Sequence, residues 1–329
     1  MIALLLMLLA AGPTPGDLKT FGDWVVGCDN AKRCAAVSLT VDNGVGDATM
    51  RIEREPGPLG DWTVTLTPDA AKIGRVAVRL DGATLARGEV ADAGLTITGA
   101  SADAIVRRMV NGKQLTVERL VDGRVFTRVS LTGASATLRY IDAEQSRVGT
   151  VTAVVARGSR PASNVPSSRP LPVVVQVRAP RRPPEAIGPT LRRAIEAQTG
   201  CADEQGGPDL TPDPVRLDAR TTLVLIPCGA GAYNFSAVPV LVRNGKFSVA
   251  PFDVQVGFSP DATLLVNADW DADRARLTEY SKGRGLGDCG TSSEYAWDGD
   301  RFRLVEQAAM SECRGSIDWI TVWRAATIR

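Results

Sequence analysis

Short runs rich in Val, Leu and Thr, each broken by Asp-Gly or Asn-Gly, recur along the chain and limit its fold more than any other feature. Both dipeptides tolerate the positive φ that tight hairpin loops demand, so the pattern predicts antiparallel strand pairs. In the first half the turns are Asp81-Gly82, Asn111-Gly112 and Asp122-Gly123, the last two flanked by MV/KQLTV and RLV/RVFTRV. REPGPLGDWTVTLTP adds a Pro-Gly turn leading into Trp62, Val64 and Leu66 on one strand face. In the second half Asn244-Gly245 sits inside VLVRNGKFSV and Asp298-Gly299 inside EYAWDGDRFRLVEQ, while TTLVLIPC and TLLVNADWDADRARLTEYS supply further strands. Helical patterning is sparse. It covers Ala102 to Val110, Ala134 to Gln145, and EAIGPTLRRAIEAQ, where Ile187, Leu191, Ala194 and Ile195 recur near the helical period.

Between Arg157 and Pro184 the chain carries seven prolines, six arginines and no acidic residue. Proline removes the donors that regular pairing needs, so the stretch reads as an extended, semi-rigid linker in which only Val173 to Val177 can dock as an edge strand. A chain of 329 residues also exceeds one hydrophobic core. The expected fold is α+β and β-rich. It has two antiparallel-sheet domains, each with one or two packed helices: a sandwich-like N-terminal domain over 17–156, the linker over 157–184 and a C-terminal domain over 185–329. The opening MIALLLMLLAAGPTPG holds an apolar run from Ile2 to Ala11 followed by small residues. It reads as a signal peptide over 1–16, with Gly12 or Gly16 at the cleavage point, although no Lys or Arg precedes it. The run falls short of the roughly 20 residues a spanning helix needs, which points to a periplasmic or secreted protein without a transmembrane anchor.

Six cysteines, at 28, 34, 201, 228, 289 and 313, are an even number suited to an oxidising compartment. None forms C-x-x-C, which argues against a redox pair or a thiolate metal site. Six cysteines allow fifteen pairings. If the segment holding Cys28 and Cys34 folds on its own, those two pair, and Cys201, Cys228, Cys289 and Cys313 keep three arrangements.

The chain contains no histidine, which removes Ser-His-Asp and Cys-His nucleophiles and every His-ligated zinc site. G-x-S-x-G, S-x-x-K and G-x-x-x-x-G-K-[ST] are missing as well. With a formal net charge of +1, no global field favours nucleic acid. The expectation is a non-enzyme without cofactor or metal.

Several local motifs imitate sites. GLGDCG, from Gly285 to Gly290, matches G-x-G-x-x-G, yet a strand-like run follows it where a pyrophosphate loop needs a helix N-terminus. Asp269, Asp271 and Asp273 imitate the first ligands of a calcium loop, but Arg274 and Tyr280 stand where glycine and the bidentate carboxylate belong. Glu294, Asp298, Asp300 and Glu306 cluster near Trp297, the residue types a glycoside hydrolase uses without histidine. Trp24 reads as core beside a disulfide, and Trp319 and Trp323 alternate with Ile317 and Thr321 on the face of a terminal strand.

FGDWVVGCDNAKRC, KGRGLGDCGTSSEYAWDGDRFRLVEQAAMSECRG and the closing DWITVWRA together resemble domain of unknown function 1176, an uncharacterised family of exported bacterial proteins. FGDW, the two nearby cysteines and SLTGASATLRYIDAEQ are also similar to the invasion-associated locus B proteins. The resemblance implies an envelope or secreted location and carries no catalytic residue. It agrees with sequential pairing of the cysteines: Cys28 with Cys34, Cys201 with Cys228, and Cys289 with Cys313. The functional expectation is a monomeric binding module for an envelope glycan, an anionic envelope component or a protein. The expected contact surface is Lys282, Arg284 and Asp288 on the glycine-rich loop, with Arg314 brought close by the third disulfide. Inhibition of a cell-wall-lytic enzyme and hydrolysis by acidic residues are the alternatives.

Overall fold

The structure is a computed structural model describing residues 12–40, 48–68, 74–92, 94–201, 213–257 and 263–329; the apolar run from Ile2 to Ala11 lies outside them. In the first half β1 (Leu18–Phe21), β2 (Trp24–Cys28), β3 (Cys34–Ser38), β4 (Ala48–Arg54) and β5 (Trp62–Pro68) pair antiparallel in sequence order. The hairpin of β6 (Gly74–Leu80) and β7 (Ala83–Val90) belongs to a second sheet, and β8 (Leu95–Ile97) returns to pair with β5. Next come α1 (Gly99–Met109), β9 (Leu115–Arg119), β10 (Val125–Val129) and α2 (Ala134–Glu144), giving the second sheet the order β10-β9-β6-β7.

Period-two alternation aims Trp24, Val26, Met50, Ile52, Trp62, Val64 and Leu66 into one core, where they meet Val76, Val78, Leu80, Leu115 and Val117 of the second sheet. Ile105, Val106 and Met109 of α1 and Leu138 and Ile141 of α2 close that core. Asp81 and Gly82 take φ of 50° and 80° at the tip of the β6–β7 hairpin, and Gly123 takes 70° between β9 and β10. Asn111-Gly112 is not a hairpin tip. Met109 ends α1 and Val110 caps it, so the pair leads the chain from helix to β9. The helical spacing of Ile105, Val106 and Met109 outweighs the turn dipeptide.

A buried latch holds the chain after α2. Asp142, fully buried, accepts the N–H groups of Val154 and Val155 at 2.9 and 2.8 Å and pairs with Arg54 at 3.2 Å. Arg147, also fully buried, donates to Gln145 Oε1 at 2.8 Å and to the Gly57 carbonyl at 2.5 Å.

In the second half come β11 (Val173–Val175), α3 (Pro189–Thr199), β12 (Val215–Arg216), β13 (Thr222–Ala230), β14 (Phe235–Arg243), β15 (Lys246–Val249) and β16 (Leu265–Val266). After them run β17 (Asp269–Asp271), β18 (Arg276–Lys282), β19 (Gly290–Trp297), β20 (Phe302–Met310), β21 (Ile320–Arg324) and β22 (Ala326–Ile328). One antiparallel sheet has the order β12-β13-β14-β15, with β16 on β14, and the other β17-β18-β19-β20-β21. Leu223, Leu225 and Leu241 face Leu277, Tyr295, Trp297, Phe302 and Leu304 in a shared core. On the opposite side of the first sheet, Val224, Ile226, Val240 and Val242 pack with Ile195 of α3.

The proline-rich stretch is extended apart from one 3-10 turn over Ala162–Asn164, and both its parts are docked: in the first, Arg160 N–H donates to the Gly149 carbonyl at 3.1 Å and Val165 is buried. β11 pairs in parallel with β22, Val177 N–H donates to the Trp297 carbonyl at 2.9 Å, and the Glu185 carboxylate accepts the N–H groups of Asn244 and Gly245 at 3.0 and 2.6 Å. The remaining faces of β2 and β3 are also covered. Val25, Ala35 and Val37 pack with Met310, Ile320 and Val322. Around this seam Arg324 pairs with Asp29 at 2.5 Å, and Asp318 accepts Thr49 at 2.6 Å and Thr67 at 3.2 Å. That contact explains why the last strand departs from expectation. β21 starts at Ile320, and its fully buried side is Ile320 and Val322, whereas Ile317 precedes the strand and is 59% exposed.

Among the described residues no helix is long and apolar enough to cross a membrane. The disulfides join Cys28 to Cys34 across β2 and β3, Cys201 after α3 to Cys228 of β13, and Cys289 before β19 to Cys313 after β20. On the chain-entropy model a loop of this second size contributes about 3.5 kcal/mol, and the short first loop about 2 to 2.5 kcal/mol. Removing the Cys201–Cys228 bond by paired Cys→Ser substitution is therefore expected to lower urea-derived unfolding free energy by about 1 kcal/mol more than removing Cys28–Cys34. Equal losses would contradict loop size as the source.

Candidate ligand-binding site

The glycine-rich loop between β18 and β19 is a chain reversal. Gly283 N–H donates to the Cys289 carbonyl at 2.8 Å, Gly287 N–H to the Arg284 carbonyl at 2.9 Å, and Gly287 and Gly290 take φ of 70° and 135°. Tyr280 Oη donates to the Gly287 carbonyl at 2.6 Å and Tyr233 Oη to the Gly283 carbonyl at 3.3 Å, so the loop is braced on both sides. A strand follows it, and no helix dipole stands there for a phosphate.

The charged groups expected on this loop divide into committed and open ones. Asp288, 3% exposed, receives a fork from Arg284 and the N–H of Gly315 at 2.7 Å. The Arg284 hydrogen bond holds the Asp288 carboxyl below its usual range against the opposing effect of burial. Arg314 follows Cys313 to the loop, but its guanidinium turns to Asp23 at 2.7 Å and to the Thr40 carbonyl at 2.7 Å. Lys282 makes no ion pair among the described residues, and its ammonium lies 5.7 Å from the centre of the Tyr280 ring.

Three of the four acidic groups near Trp297 are similarly occupied. Glu294 pairs with Arg274 at 2.8 Å, and Asp300 with Arg301 at 3.1 Å. Asp298 accepts the N–H groups of Asp300 and Arg301, both at 2.8 Å, and pairs with Arg303 at 2.5 Å. Glu306 lies across the strand pair from Glu294; burial first and then that neighbour raise its pKa. In the calcium-like stretch Asp271 is held by Arg274 at 2.6 Å, and among the described residues no group of three or more acidic or cysteine side chains could hold a metal.

A different cleft, of about 600 Å³, collects cations from three chain segments. Arg178 arrives from the proline-rich stretch, Arg220 from the turn before β13, and Arg243 from the end of β14, while Val177, Pro180 and Gly299 supply apolar wall. Asp218 is the acid in this wall. Burial opposes its ionisation, but N–H bonds from Arg220 and Thr221, both at 2.8 Å, and from Trp297 Nε1 at 2.8 Å keep its pKa low. Its acceptors thus go to amides and an indole. Arg243 Nε donates to Thr221 Oγ1 at 2.8 Å, and its guanidinium lies 5.7 Å from the Trp297 ring. None of the three arginines forms an ion pair among the described residues. An arginine fork suits planar carboxylate and phosphate groups, so the cleft can hold an anion. Sequence reasoning read the arginine-rich stretch that contains Arg178 as a linker and missed Arg220 and Arg243, which only strand pairing brings beside it.

A model of the family described as Protein of unknown function (DUF1176) matches residues 18–326. An uncharacterised protein of Escherichia coli (strain K12), YpfG, is 30% identical over 342 residues, which cover 93% of this chain and 92% of that protein. The crystal structure of invasion associated protein B from Bartonella henselae is 19% identical with a TM-score of 0.32, covering 40% of this chain and 99% of that one.

Two measurements test the site assignments. Because Asp288 anchors both the loop and Gly315, Asp288→Ala is expected to lower Tm clearly, whereas Lys282→Ala shifts stability by no more than about 0.5 kcal/mol; similar Tm losses would refute that division. On β18, Glu279 accepts Tyr295 Oη at 2.7 Å and has no cation partner among the described residues, and burial raises its pKa above the ordinary 4.5. A raised carboxyl pKa gives stability that is present below the unfolded value and is lost as pH rises through the folded value. Glu279→Gln should therefore match the wild type near pH 4 and gain in Tm as pH rises to 8. A constant difference across that range would contradict the assignment.

Proposed function

For a chain that belongs to the DUF1176 family, matched over residues 18–326, we propose the role of an exported, monomeric, non-catalytic binding protein for an anionic component of the cell envelope. The observation that carries this reading is the convergence of Arg178, Arg220 and Arg243 on one cleft without an acidic ion-pair partner among the described residues. Three disulfides and the apolar run at the start support export into an oxidising compartment. The cleft wall is held from several directions, by Glu185 on the Asn244-Gly245 turn and by Val177 on Trp297, so binding needs little rearrangement.

A second reading, inhibition of a cell-wall-lytic enzyme, rests on Leu286, which is 67% exposed on the disulfide-braced loop. A rigid loop presenting one apolar side chain is a suitable plug for a cleft. The acidic groups near Trp297 lend hydrolysis no comparable support, since Glu294, Asp298 and Asp300 are each engaged by an arginine.

Titration calorimetry with purified lipopolysaccharide and with anionic peptidoglycan fragments tests the first reading. A lost charge-assisted hydrogen bond costs about 1.5–3 kcal/mol. The affinity of Arg243→Ala is thus expected to fall roughly tenfold or more, and that of the Arg178, Arg220 and Arg243 triple alanine variant to vanish. Unchanged binding by the triple variant would reject the cleft. Inhibition of a lytic enzyme that is abolished by Leu286→Asp but not by the triple variant would favour the second reading.

A further inference from the structure

The chain that supplies Arg178 continues beyond the arginine cleft. Pro180 lines the cleft, and from it the chain runs through Arg181, Arg182 and Pro183, all exposed, to Glu185. This short segment is fastened at both ends. Val177 N–H donates to the Trp297 carbonyl on one side, and Glu185 N–H donates to Thr222 Oγ1 at 2.8 Å on the other. Between them Arg182 N–H donates to the Pro180 carbonyl at 2.8 Å, and Arg216 of β12 forks onto the Pro183 carbonyl at 3.1 and 2.9 Å. Pro180, Pro183 and Pro184 each fix φ. The segment is therefore a ridge beside the cleft, with its shape set before any ligand arrives.

The donors on this surface are open. The side chains of Arg181 and Arg182 make no hydrogen bond or ion pair among the described residues, and neither do those of Arg178 and Arg220 on the cleft wall. Arg216 keeps one terminal nitrogen unbonded and Arg243 keeps both, because their bonds to Pro183 and Thr221 use the other nitrogens. Three carboxylates share the surface. Asp218 accepts two amides and the Trp297 indole, Glu185 accepts the amides of Asn244 and Gly245, and Asp213 is exposed just before β12. Six arginines thus stand against three carboxylates, and no ion pair joins the two sets among the described residues.

We infer that the ligand of the cleft is an extended polyanion, a linear chain of phosphates or carboxylates that leaves the cleft past Pro180 and follows the ridge toward Arg216. The inference rests on the anion reading of the cleft and goes beyond it by fixing the ligand class. A single phosphate or carboxylate fills the cleft and leaves the ridge arginines without acceptors. A chain charged at every repeat meets them in turn and releases its condensed counterions as it does so. Planar guanidinium forks suit successive oxyanions, and a ridge already held in place loses little freedom on contact. Neither the lining of the cleft nor the ridge carries an aromatic side chain on which a base could stack, so what is recognised is charge along a backbone.

The test compares pyrophosphate, long enough for the cleft alone, with two polymers, inorganic polyphosphate and polyglutamate, by titration calorimetry on the full chain between about 50 and about 200 mM chloride. One polymer is expected to bind roughly tenfold or more tighter than pyrophosphate, and which of the two does so identifies the repeating group. Arg181→Ala combined with Arg182→Ala should weaken that polymer roughly tenfold and reduce the salt slope of its affinity by about 1 to 2, while pyrophosphate binds as before. Arg124→Ala combined with Arg128→Ala, which removes two exposed and unpaired arginines from the first half, should alter neither. A polymer held no tighter than pyrophosphate, a ridge variant that binds it like the wild type, or a first-half variant that loses as much overturns the polyanion track and leaves the cleft standing. Capture by phosphatidylglycerol vesicles without binding of either polymer also overturns it, in favour of a lipid surface. Pyrophosphate binding that survives in the Arg178, Arg220 and Arg243 triple alanine variant is a separate failure, since it removes the cleft and with it the anchor of the track.

Discussion

The rest of the structure depends on the burial of β2 and β3 from both sides. Trp24 and Val26 face the core of the first half, while Val25, Ala35 and Val37 face Met310, Ile320 and Val322 from the far end of the chain. Each face of an ordinary outer sheet would be half wet, but here the adjacent residues Trp24, Val25 and Val26 all have zero exposure. At about 25 cal/mol per Å² of buried apolar surface, such an interface is strongly favoured only if its hydrogen-bonding rim is also satisfied. Arg324 on Asp29, Arg314 on Asp23 and Asp318 between Thr49 and Thr67 meet that requirement. The position of the glycine-rich loop follows from this seam, because Gly315 N–H holds Asp288 of the loop while the adjacent Arg314 is anchored on Asp23 of the first half.

Much of this was readable in the residues. The hairpins at Asp81-Gly82, Asp122-Gly123, Asn244-Gly245 and Asp298-Gly299, and the three α-helices among the described residues, follow from turn chemistry and periodicity that act over a few residues. Asn111-Gly112 misled because a helix exit and a hairpin tip make similar local demands. The double burial of β2 was not readable, since WVVGC looks the same whether its second face meets solvent or another sheet. The candidate site was harder still. Arg178, Arg220 and Arg243 are spread over 66 residues of sequence and become neighbours through strand register and the docking of the proline-rich stretch. The Arg284–Asp288 fork, by contrast, joins residues four apart, a spacing that could have signalled mutual neutralisation.

Arginine does most of the polar joining. Arg54, Arg147, Arg276 and Arg314 each bridge segments distant in sequence, using several donors of one planar group. Lysine, a flexible point charge, could not satisfy two carbonyls and a carboxylate at fixed angles in the same way. The scarcity of lysine, with six among thirty-eight basic residues, therefore suits this architecture whatever its genomic origin. Arg147 and Arg276 are buried and held by neutral acceptors, whereas the three arginines of the cleft, which also make no ion pair among the described residues, are exposed.

The placement of the final strands also bears on how fast the molecule can fold. Gly16 bonds to Val322, and Val173–Val175 pair with Ala326–Ile328, so the segment before β1 and the middle of the chain are both held by residues far away in sequence. Without those residues the outer face of β2 and β3 would be wet and the Asp29 carboxylate would lack its arginine. The first-half sheet is thus closed by contacts of very long sequence separation, the kind whose loop-closure entropy slows folding.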